Sequence, residues 1–152
     1  MAGHSRVARM SKTQRVHVTH NFTSDPVTIF EKLSEHENLG AVFAAKITRV
    51  CDGTDGTRNG VGSTRSLKPL GLPPAFNETV TKSEPNSLIE YKISKGSPIR
   101  NHVGTQRLTP NADGGTHLDY TIDFDSPVPG LAAFIRIALQ RVVGKGIPKL
   151  AS

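Results

Sequence analysis

Tryptophan is absent from the chain, aromatic residues make up only 5% of it, and it contains a single cysteine. One cysteine excludes an internal disulfide and cysteine-based zinc motifs, which favours a reducing compartment and predicts a cytoplasmic protein. The most apolar segment, residues 131–143, is interrupted by Arg136, Gln140 and Arg141, so we expect no integral membrane association. The six histidines lack local ligand spacing, so we expect no metal, and no cofactor motif is legible.

Acidic residues are missing from both ends of the chain. Residues 1–24 and 126–152 together carry eight basic residues and no acidic one, whereas the middle is close to neutral. A basic face with stacking aromatics is typical of nucleic-acid binding, and the middle of the chain lacks it, so we expect no nucleic-acid partner. We predict a disordered basic leader over residues 1–13, a single domain over residues 14–147 and a tail over residues 148–152.

Period-two alternation of apolar and polar residues predicts most of the secondary structure. It is clearest over residues 116–125, where every second residue from Leu118 to Phe124 is large and apolar. Short turns separate this strand from its predecessors, which favours an antiparallel meander. The other predicted strands are residues 15–23, 46–51, 61–68, 76–83, 88–95 and 101–108.

Two regions carry helical patterns. Asp25 followed by Pro26 predicts a helix N-terminus, and Val27, Phe30 and Leu33 would share the buried face of that helix. A second helix is predicted over residues 129–145, and its apolar stripe covers half the circumference or more. Such a wide stripe needs a concave partner, such as a curved sheet, and an apolar ligand could occupy the space between them.

Four segments carry a resemblance to a known family: residues 18–30, 60–65, 78–80 and 97–102. In this order and spacing the chain resembles the START-like (SRPBCC) superfamily, and within it the polyketide cyclase/dehydrase and lipid-transport group, over residues 14–145. The resemblance implies an α+β helix-grip fold. In this fold a curved antiparallel sheet of about seven strands wraps around a long C-terminal helix, and one or two short helices follow the first strand. It also implies a cavity for hydrophobic ligands.

Several polar residues fall on inward faces and are candidates for a site. His20, His102 and Tyr120 are the candidates for acid–base catalysis, because a buried imidazole titrates near neutral pH. Arg65 either pairs with Glu78 on the next strand or binds a ligand oxygen. We expect residues 69–75 to form a lid. The expected ligand-binding residues are Arg65, Leu70, Leu72, Tyr91, His102, Tyr120, Phe124 and Phe134.

Three functions remain open at this point. The leading hypothesis is a carrier or sensor that binds a lipid, polyketide or isoprenoid type of small molecule. The alternative is a cyclase or dehydratase, but some aromatases of the superfamily place a Ser and an Arg on the strand that matches residues 79–83. This chain has Thr81 and Ser83 there and no Arg. The third possibility is a protein-interaction module that uses the apolar loop and the basic last helix. The oligomeric state is left open.

Overall fold

A computed structural model of the protein describes residues 13–72 and 74–151. The leader predicted for residues 1–13 lies, apart from Thr13, outside the described residues. The strands are β1 (Gln14–Phe22), β2 (Ala45–Cys51), β3 (Thr64–Pro69), β4 (Phe76–Glu84), β5 (Leu88–Lys95), β6 (Arg100–Pro110) and β7 (Thr116–Asp125). The helices are α1 (Pro26–Ser34), α2 (Gly40–Phe43) and α3 (Leu131–Gly146), with 3₁₀ turns at His36–Leu39 and Ile147–Leu150.

Within the described residues, the seven strands form one antiparallel sheet in the order β1-β7-β6-β5-β4-β3-β2. Neighbours from β2 to β7 are also consecutive in the chain, as a meander requires. The exception is β1, which pairs along its whole length with β7, so that the first and last strands of the chain are neighbours in the sheet. With the two short helices after β1 and the long α3 near the C-terminus, the predicted α+β helix-grip fold is confirmed.

The sheet buries one face and leaves the other polar. On β7 the buried face is formed by Leu118, Tyr120, Ile122 and Phe124, each at most 2% exposed. On the opposite face, two side chains of β1 contact two carboxylates of β7. Nε of Arg15 donates a hydrogen bond to Asp123 at 2.7 Å, and His17 contacts Asp119. Such exposed pairs contribute little stability, so the fold depends on the apolar face.

Helix α1 begins as its capping residues predict. The side chain of Asp25 accepts a hydrogen bond from the backbone N–H of Thr28 at 2.8 Å, which stabilises the first turn. The predicted buried face is wrong in part: Leu33 is buried as expected, but Val27 is 48% exposed and Ile29 is buried in its place. Both sets have helical spacing, and packing against the sheet and the 3₁₀ turn selects the second.

Helix α3 has two different halves. Within this fully described helix, Val143 and Gly146 near its C-terminus are buried, whereas Phe134 and Ile137 nearer its start are exposed. The predicted broad buried stripe is therefore correct only for part of the helix. At the buried end α3 contacts α2 so closely that a Cβ on Gly146 would lie 2.5 Å from the carbonyl oxygen of Val42. Glycine is required for this contact.

The middle of α3 also covers the edge of the sheet. The backbone N–H of His17 in β1 donates to Oε1 of Gln140 at 3.1 Å, and Nε2 of Gln140 donates to the carbonyl oxygen of His17 at 2.8 Å. One side-chain amide therefore satisfies both backbone groups of a residue on an edge strand.

Candidate functional site

A cavity of about 470 Å³ lies between the sheet and the N-terminal half of α3. Its volume is in the range of small-molecule sites. Every strand from β2 to β7, together with α2, α3 and two loops, contributes to its wall. The apolar lining includes Phe43, Ala45, Leu67, Phe76, Ile93, Ile99, Ile122, Ile135, Ala138, Leu139 and Val142.

Exposed apolar side chains surround the entrance to this cavity. Leu70, Leu72 and Phe134 all line it and are 76%, 63% and 70% exposed. Large apolar side chains clustered on a surface usually mark an interaction site. We call these three residues the apolar rim.

Two buried polar side chains, Glu78 and His102, interrupt the apolar wall, and we call them the polar wall. They face inward from two strands that are separated by β5, Glu78 on β4 and His102 on β6. Nε2 of His102 is 3.7 Å from Oε2 of Glu78, which is too long for a hydrogen bond. A polar contact of this length leaves both atoms free to bind a third group.

Glu78 is held from behind by Arg65. The register pairs the two residues across β3 and β4, and Nη2 and Nε of Arg65 lie 2.9 and 3.1 Å from the same oxygen, Oε1. The guanidinium also stacks over the ring of Tyr91, with Cζ 4.8 Å from the ring centroid. Arg65 is buried but does not line the cavity. Its charge therefore neutralises Glu78 without facing a ligand.

The protonation of His102 follows from its hydrogen bond to the backbone. The N–H of Ile93 donates to Nδ1 at 3.0 Å, so a neutral imidazole carries its proton on Nε2. Burial lowers the pKa of His102, with Glu78 acting in the opposite direction and Arg65 adding to the decrease. At neutral pH the ring is uncharged and presents an N–H donor beside Oε2 of Glu78.

Two tyrosines lie next to the polar wall. The hydroxyls of Tyr91 and Tyr120 are hydrogen-bonded to each other, and burial raises the pKa of both, so both are neutral. The ring of Tyr91 lies over the backbone of Gly104, where a Cβ would overlap it. The absence of a side chain at Gly104 therefore leaves room for the Tyr91 ring in the cavity wall.

Comparison with known families identifies the chain. The family model described as polyketide cyclase / dehydrase and lipid transport matches residues 13–152. The chain belongs to this family. A search of curated protein sequences found no match.

Solved structures show the same fold at low sequence identity. A START superfamily protein from Mycobacterium smegmatis is 20% identical with a TM-score of 0.66, covering 90% of this chain and 99% of its own. A protein from Nitrosospira multiformis is 15% identical with a TM-score of 0.67, covering 91% and 97%. The ZhuI aromatase/cyclase from a Streptomyces species is 16% identical with a TM-score of 0.62, covering 91% and 87%. At these identities the likeness establishes the helix-grip fold alone.

The structure brings five of the expected ligand-binding residues to the cavity. They are Leu70, Leu72, Tyr91, His102 and Phe134. They come from one loop, two strands and α3, so a single enclosed space explains their grouping. Whether they bind a ligand stays a prediction.

Four other candidates lie elsewhere. Tyr120 and Phe124 are sealed in the core behind the wall, and Arg65 is screened by Glu78. His20 is half-buried on β1 and packs edge-on against Phe22, with ring centroids 4.6 Å apart, away from the cavity. Inward direction on a strand was the sequence criterion for all four, but it does not distinguish a residue that lines the cavity from one that packs in the core.

Sequence reasoning treated Glu78 only as the partner of Arg65, whereas it is the carboxylate that lines the cavity. The sequence feature that indicates this position is the alternation of Glu78 with Val80, which places an acidic side chain on the inward face of the strand. The buried pair of His36 and Ser63, with Nε2 and Oγ 3.1 Å apart, was not predicted at all.

The described residues limit two other kinds of site. Across residues 13–72 and 74–151, no three His, Cys, Asp or Glu side chains lie together in a way that could hold a metal ion. None of the helices described there is long and apolar enough to cross a membrane.

Proposed function

We propose that the protein binds a hydrophobic small molecule of the lipid, polyketide or isoprenoid type in this cavity, as a carrier or sensor. The observation that supports this most is the cavity itself, which has about 470 Å³ of space, an almost wholly apolar wall and an apolar rim. An apolar space of this size is unusual in a packed interior, because folding normally fills voids larger than a water molecule.

The energetics favour an apolar occupant. A ligand that buries about 300 Å² of apolar surface gains about 7 kcal/mol, from which the loss of translational and rotational freedom must be subtracted. The apolar rim extends this favourable surface to the entrance. The lid role of residues 69–75 stays a prediction, although Leu70 and Leu72 stand where a lid would need apolar side chains.

The polar wall supports binding more than catalysis. His102 has Nδ1 occupied by a backbone N–H and its proton on Nε2, so it offers no free lone pair to act as a base. Tyr120 is sealed behind the wall, and burial raises the pKa of both tyrosines, which keeps them protonated. These arrangements orient a ligand but do not readily exchange protons with it.

Mass spectrometry under native conditions tests the proposal with two matched variants. Ala138→Trp places an indole in the cavity, whereas Ile137→Trp places it on the exposed face of the same helix. We expect protein purified from its native host, and the Ile137 variant, to carry a stoichiometric apolar compound that the Ala138 variant lacks. The neutral dye Nile red gives a second readout, and equal binding of Nile red by both variants would contradict the proposed site.

A second candidate function, a dehydratase or cyclase, is favoured by one observation. Oε2 of Glu78 faces the cavity with no hydrogen bond from the described residues, so it is placed to remove a proton α to a ligand carbonyl. Glu78 would return this proton to the β-hydroxyl, which is hydrogen-bonded by His102, so that the C–O bond breaks and the hydroxyl leaves as water. This candidate predicts that the protein dehydrates a linear β-hydroxy ketone to the enone and that Glu78→Gln abolishes the reaction. An unchanged rate in that variant would exclude it.

A further inference from the structure

The polar wall is an unpaired donor beside an unpaired acceptor. Nε2–H of His102 and Oε2 of Glu78 face each other across 3.7 Å, and no hydrogen bond within the described residues uses either atom. Both side chains are more than nine-tenths buried and both line the cavity. Both atoms open onto the cavity, so an apolar ligand that excluded water from it would leave each of them buried and unpaired, which is destabilising by about 1–3 kcal/mol. The arrangement therefore points to a partner supplied from the cavity.

One oxygen atom fits between the two groups. An oxygen about 2.8 Å from each of two atoms that are 3.7 Å apart forms an open triangle with ordinary hydrogen-bond lengths. To satisfy both groups, this oxygen must accept a hydrogen bond from His102 and donate one to Glu78. We propose that the polar wall binds the hydroxyl group of an uncharged and otherwise apolar ligand, an inference that rests on the proposed function.

Among the described lining residues, the polar wall is the main polar contact point. The hydroxyl of Tyr91 is bonded to Tyr120, and Oγ of Ser97 accepts the backbone N–H of Ile99. Ser97 keeps its O–H as a donor, but the remaining described lining is almost wholly apolar, so the cavity best matches a molecule with one polar group at the polar wall and an apolar body.

The same geometry discriminates among polar groups. A ketone or ether oxygen accepts from His102 but donates nothing, which leaves Oε2 of Glu78 buried and unpaired. A carboxylate also lacks the donor and brings a negative charge against that of Glu78, while the guanidinium of Arg65 lies behind Glu78 and does not line the cavity. Alcohols and phenols are favoured over ethers, ketones and fatty acids.

Displacement of Nile red by three matched chains tests this preference. The competitors are dodecanol, dodecyl methyl ether and dodecanoate, which differ only at the polar end. We expect dodecanol to displace the dye at about tenfold lower concentration than the ether, because the lost hydrogen bond leaves a buried acceptor unpaired. Dodecanoate is expected to be the weakest of the three.

Two substitutions of His102 distinguish the loss of its hydrogen-bond donor from a general effect on the fold. In His102→Asn the amide oxygen can still accept the N–H of Ile93, but the donor toward Glu78 is lost. In His102→Gln the amide nitrogen can reach the position of Nε2. We expect the Asn variant to lose the preference for alcohol over ether and the Gln variant to retain part of it.

The outcomes distinguish the two proposals. If Nile red does not bind, or binds Ala138→Trp as well as the wild type, the cavity-binding function fails. If Nile red binds in the cavity but the three chains displace it equally, or dodecanoate displaces it best, the hydroxyl assignment is overturned and cavity binding stands. Failure of all three chains to displace the dye also overturns the hydroxyl assignment.

Discussion

The two ends of α3 contact the sheet in opposite ways. Around Val143 and Gly146 the helix is sealed against α2 and β1, and a single added Cβ has no room. Around Phe134 and Ala138 the helix stands away from the sheet, leaving the cavity and its apolar rim. One continuous helix thus serves as a core element at its C-terminal end and as a cavity wall at its N-terminal end. Because packing at the closed end stabilises the fold, the space beside the open end need not be filled by side chains.

The buried ion pair beside the open end, Arg65 with Glu78, gives the largest expected effect. Arg65→Leu leaves the carboxylate of Glu78 buried without its counter-ion, and we expect a loss of about 3–5 kcal/mol in the free energy of unfolding, measured by urea denaturation. The double variant Arg65→Leu with Glu78→Leu removes both charges and should recover most of this loss. Equal stability of the single and double variants would show that the unpaired carboxylate of Glu78 is not what destabilises the single variant.

Two glycines of the closed end form a matched pair. Gly146→Ala forces a Cβ against the backbone of Val42 and should lower the free energy of unfolding by about 1–3 kcal/mol. Gly144→Ala meets nothing within 4 Å and should raise it by about 0.5–1 kcal/mol, because alanine is the better helix former. Thermal unfolding of the two variants measures the difference. Stabilisation by both would mean that α3 and α2 are not in close contact.

Truncation of one apolar residue at each end sharpens the comparison. Val143→Ala removes only two methyl groups, but from a fully buried side chain, and should lower stability by about 1–2 kcal/mol. Phe134→Ala removes a whole ring from the rim and should change stability by less than about 0.5 kcal/mol, while weakening Nile red binding. The comparison fails if Phe134→Ala is the more destabilising variant.

A pH-dependent effect is expected from His36, which is fully buried away from the open end. Burial lowers the pKa of His36 to about 3, with a smaller contribution from nearby Arg65, so the native state resists a proton that the unfolded chain accepts below about pH 6.5. This contribution to stability is complete above pH 6.5 and decreases as the pH falls toward 3. Between about pH 7 and pH 5.5 the loss is about 1 kcal/mol.

Urea denaturation at these two pH values, with His36→Gln as the control, measures the contribution of His36. The Gln variant retains a side-chain partner for Ser63 but cannot titrate, so its stability should fall less than that of the wild type over the same interval. An identical pH dependence in both proteins would mean that His36 does not hold its proton differently in the two states.

The sequence predicted the sheet better than the cavity. The ends of the strand at residues 116–125 agree with β7, because strict alternation with one buried face fixes both register and extent. The cap at Asp25 was equally readable, since it depends on local hydrogen bonding. The helix-grip fold followed from these elements and the resemblance together.

The site was predicted only in part, for a physical reason. Alternation shows that Tyr120, Phe124 and His102 face inward, but not whether an inward residue meets a packed core or an empty space. That depends on the distance between α3 and each end of the sheet. Contacts such as that of Gly146 with Val42 determine this distance. The exposure of Phe134 follows from the same distance and is equally invisible in a helical periodicity.

Gln140 has a consequence for association with other chains. An uncovered edge strand offers unpaired N–H and C=O groups to the strand of another molecule. By occupying both backbone groups of His17 with a side chain, α3 imitates one residue of a neighbouring strand and terminates the sheet at that point. The helix that forms a wall of the cavity therefore also covers this part of the sheet edge, which opposes edge-to-edge aggregation. If α3 moved to admit a ligand, the edge would stay covered only where this amide contact was preserved.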